Sequence, residues 1–210
     1  MPLLRSPTPP RLPDPESDAP SSVRALLGTL RIYFNQLQAS VTTLLGLRGG
    51  VYLSSAYGAY RLLTTQTAAA ANTAYSVSLD TTLFESGVAR TGSQVTITHT
   101  GIYHATADIQ FANANANAQR VSIWMQINGV DAPNSRIDYS VPAQHGGTPG
   151  RLIGSLSRMA QLTANDTIEV KWSTESTDVQ LQALPTAGSP TRPAGAAVCA
   201  TLLFVSALAT

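Results

Sequence analysis

Between residues 23 and 44, apolar side chains recur at Val23, Leu27, Leu30, Phe34, Leu37, Val41 and Leu44. Steps of four and three residues in strict alternation keep one stripe on one side of an α-helix, as in the seam of a coiled coil. The spacing predicts a helix over 23–47, about 35 Å long at 1.5 Å per residue. Ser21 and Ser22 supply caps before it, and Gly46 and Gly49-Gly50 end it. Leu26 and Tyr33 widen the apolar side. A lone helix of this length is marginal in water, so the stripe needs cover. It either packs on its own domain or bundles with the same helix of sister chains, and the unbroken seam favours the bundle.

From about residue 73 the period changes to two. Val95, Ile97 and His99 alternate with Gln94, Thr96 and Thr98. Tyr103, Ala105, Ala107, Ile109 and Phe111 form a second row, and Val121, Ile123, Met125 and Ile127 a third. Ile168, Val170 and Trp172 oppose Glu169, Lys171 and Ser173, a short row follows at Val179, Leu181 and Ala183, and 198–208 closes the chain. Such rows are strands with one dry and one wet face, separated by turn signals at Asn128-Gly129 and Asn165-Asp166. This many strands in one domain predict a β-sandwich or jelly roll over 73–210.

The remaining segments have no period. Pro2, Pro7, Pro9, Pro10, Pro13, Pro15 and Pro20 crowd residues 1–22. Proline fixes φ and disfavours helix at the residue before it, so this is an extended arm. Residues 48–72, Tyr-, Thr- and Ala-rich, read as a linker with a possible strand at 51–53. The fold class is therefore mainly β: a sandwich preceded by a Pro-rich arm and one amphipathic helix.

Composition narrows the function. Charged residues are 12% and aromatics 6%, with a formal net charge of +1. That balance offers no footprint for nucleic acid or an anionic membrane. No basic start followed by an apolar stretch marks a secretory signal, and the apolar stretch 196–208 is too short to span a bilayer. Cys199 lies in that stretch as the only cysteine, which excludes an intrachain disulfide and reads as a small buried residue.

Candidate chemistry is sparse. His99 and His104 do not share a face and have no Cys or carboxylate cluster beside them. His145 lies in the Gly-rich loop 142–150. No Gly-x-Ser-x-Gly elbow or phosphate-binding glycine pattern occurs. Asp131, Asp138, Asp166 and Asp178 sit at turns, where aspartate bonds its own backbone. The run Ala112–Ala118 of alternating Ala and Asn reads as a strand end or loop, or as a contact surface at the knob's outer end. No catalytic residue, cofactor or metal is expected, and the chain reads as a non-enzyme.

Short motifs carry two resemblances. Gly101-Ile102-Tyr103 opening a small-residue strand that ends at Phe111, Ile123 to Gly129, Leu162 to Ile168 and the strand Leu202–Leu208 follow one another as in the tumour necrosis factor and complement-head jelly rolls. Asn165 stands where that pattern has glycine. The resemblance implies a homotrimer whose closing strand lies at the trimer axis, with Tyr103, Ile109, Phe111, Leu202 and Phe204 on the strands that serve core and trimer. The stretch Leu30 to Leu37 (Leu-Arg-Ile-Tyr-Phe-Asn-Gln-Leu) after a proline-rich lead resembles the opening helix of small virion proteins of short-tailed bacteriophages. It implies a virion component assembled in the host cytoplasm: a fibre-like appendage held to a tail adaptor, nozzle or neck through arm and helix, with a host-surface glycan as a further candidate partner. A capsid decoration or head-fibre protein is the alternative, and a glycan-binding or glycan-cleaving module ranks last.

Overall fold

The structure is a computed structural model. It describes residues 20–45, with side chains through Val41, and 55–208. The arm through residue 19, the Leu44 side chain and the strand expected at 51–53 lie outside the described residues. The chain divides into two compact units, Met1–Ser55 and Ala56–Thr210.

In the first unit a single helix, α1, runs over Ser21–Leu45. Its N-terminus is held by the Pro20 carbonyl, which accepts from the Val23 and Arg24 amides at 2.9 and 3.1 Å. Proline before the helix therefore closes the first turn through its carbonyl, and the two serines fall inside the helix. The stripe is open along its described length: Val23, Leu30, Phe34, Leu37 and Val41 are exposed and Leu27 is half-buried.

Eight strands frame the second unit. They are β1 (Tyr57–Leu62), β2 (Gln94–Ile97), β3 (Gly101–Asn113), β4 (Gln119–Ile127), β5 (Ile137–Val141), β6 (Gly150–Leu162), β7 (Thr167–Thr174) and β8 (Val198–Ser206). One antiparallel sheet runs β1–β8–β3–β6 and the other β2–β7–β4–β5. Apart from the β4–β5 step, strands from β1 onward change sheet at each connection, which is the winding of a jelly roll. Thr81–Ser86 extends the first sheet beyond β1, and Val88–Thr91 the second beyond β2.

The inward rows fill the space between the sheets. Trp172, Tyr60, Tyr103, Phe111, Ile109, Ile123 and Leu156 are fully buried there. Tyr103 and Phe204, paired across β3 and β8, meet edge-to-face at 5.4 Å. Two turns are hooked together at one end. Asn128 and Asn165 adopt left-handed backbones at φ 50° and 74°, which asparagine tolerates better than most residues. This explains how Asn165 replaces a glycine. Asp166 accepts from Asn128 Nδ2 at 2.8 Å and from the Thr163 amide at 2.7 Å, while Asn128 Oδ1 accepts from the Thr167 amide at 2.8 Å.

The structure corrects two expectations. The sandwich begins at Ala56, because β1 lies inside the segment read as linker, and Ala56, Ala59, Tyr60 and Leu62 are buried. Cys199 is exposed. It alternates with Val198 and Ala200, which point inward, so the parity of β8 turns the thiol out.

Candidate assembly face

The two outer faces of the sandwich differ in kind. On the β1–β8–β3–β6 sheet, strand register places Tyr57, Leu203, His104 and Met159 in one transverse row. Ala59, Thr201, Thr106 and Ser157 form the next row, with Phe84 beyond Ala59. Arg61, Cys199, Asp108 and Ser155 form the third. The end of the face at the first row is greasy and open: Leu203 is 48% exposed and Met159 61%, with Phe84 of the second row at 58% and Val205, two residues along β8, at 46%. Tyr57 and Phe84 meet edge-to-face at 5.9 Å next to Leu203, and Met159 stands beyond His104 in the same row.

Three pairs of polar side chains on this face are bonded to each other. Thr106 and Thr201 hydroxyls meet at 2.6 Å, His104 Nε2 and Ser157 Oγ at 2.8 Å, and Ser155 donates to Asp108 Oδ1 at 2.5 Å. A buried polar group costs free energy chiefly when it lacks a partner. Covering these groups therefore costs less than covering the same groups unpartnered. The ion pairs Arg120–Glu175, Arg136–Asp138 and Lys171–Glu169 instead stand on or beside the other sheet.

Tyr103, Ile109, Phe111, Leu202 and Phe204 are all buried between the sheets. Their strands do carry the open face, but through the intervening residues His104, Leu203 and Val205. The sequence holds the signal for this: Leu202 to Val205 is apolar at both parities, which a strand with one wet face has no reason to be. In α1 the seam residues Val23, Leu27, Leu30, Phe34, Leu37 and Val41 do line up on one stripe, as the spacing required.

Of the histidines, His104 bonds Ser157 through its ring, whereas the His99 backbone carbonyl accepts the Tyr103 hydroxyl at 2.7 Å and the His145 backbone closes a turn with Thr148. Among the described residues no group of three or more His, Cys, Asp or Glu side chains is placed to hold a metal ion. No described helix is long and apolar enough to cross a membrane. Burial pushes the Tyr60 phenol up, reinforced by the adjacent Glu85, which accepts its hydroxyl at 3.1 Å; this is a structural tie within the first sheet.

No family model matches this chain, and no curated protein matches it. Solved structures do align. Murine APRIL at pH 5.0 aligns at 12% identity and TM-score 0.47 over 71% of this chain and 98% of that one. Murine APRIL at pH 8.5 aligns at 11% identity and TM-score 0.43 over the same shares. The jelly-roll assignment made above stands on the strand order alone.

The Ala-Asn run resolves as a loop lock. Asn113, fully buried at the end of β3, donates to the carbonyls of Asn117, Val141 and Pro142 at 2.9, 3.3 and 2.9 Å. Its Oδ1 accepts from the Asn115 amide at 2.8 Å, and Asn115 in turn reaches Asp178 at 2.7 Å. The side-chain amides of Asn113 and Asn115 are thus spent on holding the chain reversal between β3 and β4.

Proposed function

We propose that this chain is a structural subunit of a short-tailed bacteriophage particle, working as a homotrimer. Its arm and helix attach it to a tail or neck protein, and its sandwich forms an outward knob. The observation that carries this reading is the contrast between the faces: one apolar with self-paired hydroxyls, the other bearing ion pairs. Burying a large apolar side chain contributes about 1.5–3 kcal/mol. The patch of Tyr57, Phe84, Leu203, Val205 and Met159, together with the α1 stripe, therefore supplies enough to outweigh the ordering cost of association. The likeness of Leu30–Leu37 to phage virion helices supports the setting.

Mass photometry and sedimentation of the full chain test the proposal. A species of three times 22.0 kDa is expected, and a monodisperse single-chain species at micromolar concentration overturns it. Copy number in purified particles separates the settings. A handful of copies fits a tail or neck appendage, whereas copies matching the shell protein fit capsid decoration.

A further inference from the structure

The outer face of the β2–β7–β4–β5 sheet has a different organisation from the assembly face. Its outward residues on β4 are Arg120, Ser122, Trp124 and Gln126, flanked by Asp138 on β5 and Lys171 and Ser173 on β7. Trp124 is half-buried at the middle of this polar field, the one aromatic among those outward positions. Its indole is fixed from the side. Nε1 donates to Asp131 Oδ1 at 2.8 Å, and Gln126 Nε2 donates to the same oxygen at 3.0 Å. Asp131 is itself placed by the Asn128-Gly129 turn, both residues left-handed, which folds it back beside Gln126. Around the ring, Ser122 donates to Asp138 at 2.7 Å, and Lys171 donates to Ser76 at 2.7 Å and pairs with Glu169 at 3.2 Å.

We propose that this face is a binding site for a neutral, pyranose-based glycan, with Trp124 as its stacking platform. The proposal goes beyond the assembly reading and uses the opposite sheet. The charge pattern selects the ligand class. Arg120, Arg136 and Lys171 pair with Glu175, Asp138 and Glu169, and Asp131 adds a further carboxylate, so the surface has no excess of cations for a phosphate polymer or acidic polysaccharide. A protein partner is matched by an apolar centre depleted of charge. Here charged, amide and hydroxyl side chains surround a single ring. A pyranose presents the converse: a patch of C–H bonds for the indole and a rim of hydroxyls for Asp131, Gln126, Asp138, Ser173 and Lys171. Pinning the indole through Asp131 removes rotamer freedom before binding, which lowers the ordering cost of capture.

The two tryptophans make the test direct, because Trp172 is wholly buried in the core and Trp124 is not. The full chain is titrated with cellohexaose, maltohexaose and mannohexaose to ~10 mM, the weak end of single-site recognition, with tryptophan fluorescence as readout. At least one hexasaccharide is expected to give a saturable change, with heparin hexasaccharide giving none. Trp124→Ala, which lacks the reporting indole, is compared with wild type by isothermal titration calorimetry and is expected to weaken that binding about tenfold or more, leaving the Trp172 emission and the oligomer mass unchanged. Gln126→Ala, a milder second variant, is expected to weaken it a few-fold. No saturation by any neutral hexasaccharide overturns the proposal, as does binding that is undiminished in both variants. A change of oligomer mass in Trp124→Ala also overturns it, since the face would then be a contact between subunits.

Discussion

Replacing Leu203 with aspartate separates the stability of one subunit from the stability of the assembly. Leu203 is 48% exposed in the isolated sandwich, so Leu203→Asp should change single-chain stability by only about 0.5 kcal/mol, as ordinary surface substitutions do. Covered by a sister subunit, the same change removes about 1–1.5 kcal/mol of leucine burial. It also strips water from an unpaired carboxylate, and the two effects together cost about 2–4 kcal/mol per chain after relaxation. Three chains carry the change, giving ~6–12 kcal/mol per trimer. The concentration of half-association scales as the square root of the dissociation constant, so each ~2.8 kcal/mol moves it tenfold. The expected shift is about a hundred- to ten-thousand-fold toward monomer, read by mass photometry across a dilution series. Val130→Asp, at a position 70% exposed on the hairpin after β4, is the control and should leave the midpoint in place. If Leu203→Asp associates at the wild-type concentration, the β8 face is not the contact and the reasoning fails.

Other expectations follow from the same geometry. Asn113→Ala leaves three carbonyls and one amide without their side-chain partner, and urea unfolding should show a loss of about 2–4 kcal/mol; a loss under about 0.5 kcal/mol would refute the loop-lock reading. Cys199 should react readily with a maleimide in the Leu203→Asp chain and slowly in the assembled protein, and equal rates would place the thiol outside the contact. Stability should fall on acidification. Asp166 is held below the ordinary 3.8 by its bonds from Asn128 and Thr163. Burial pushes Glu169 up, but bonds from Ser76, Ser93 and Lys171 together hold it below 4.5. Both folded values lie below the unfolded ones, so their contribution is full above about pH 4.5 and disappears as pH falls through the folded values. Thermal melts of Asp166→Asn should show a shallower acid-side slope than wild type, and an unchanged slope would remove Asp166 from the account.

What the sequence revealed depended on whether burial alternated along each strand. β3, β4 and β7 were legible because their inward residues are apolar and most outward ones polar. β1 was not, because Tyr57–Leu62 buries three residues in succession at its centre. Gly58 lies under the Tyr60 ring there, where a Cβ would collide with the phenol, so no period survives. In β8 the difficulty was the reverse. With apolar residues at both parities the strand itself was evident, but which side Cys199 or Leu203 faced was fixed only by register with β3. The candidate glycan face was hidden for a third reason. Trp124 appears in sequence as the outward member of a strand, while its partner Asp131 reads as an ordinary turn residue.

The place of β8 between β1 and β3 has a consequence for biosynthesis. A nascent chain leaving the ribosome presents β1 and β3 long before the strand that joins them has been translated. Until residues 198–206 emerge, two long edges of the first sheet stay unzipped, with Tyr60, Tyr103 and Ile109 lacking their final neighbours. Pairings so distant in sequence close slowly and leave sticky intermediates. Chaperone capture during translation, and protection from premature encounters between half-made copies, should therefore govern yield more than the stability of the folded sandwich does.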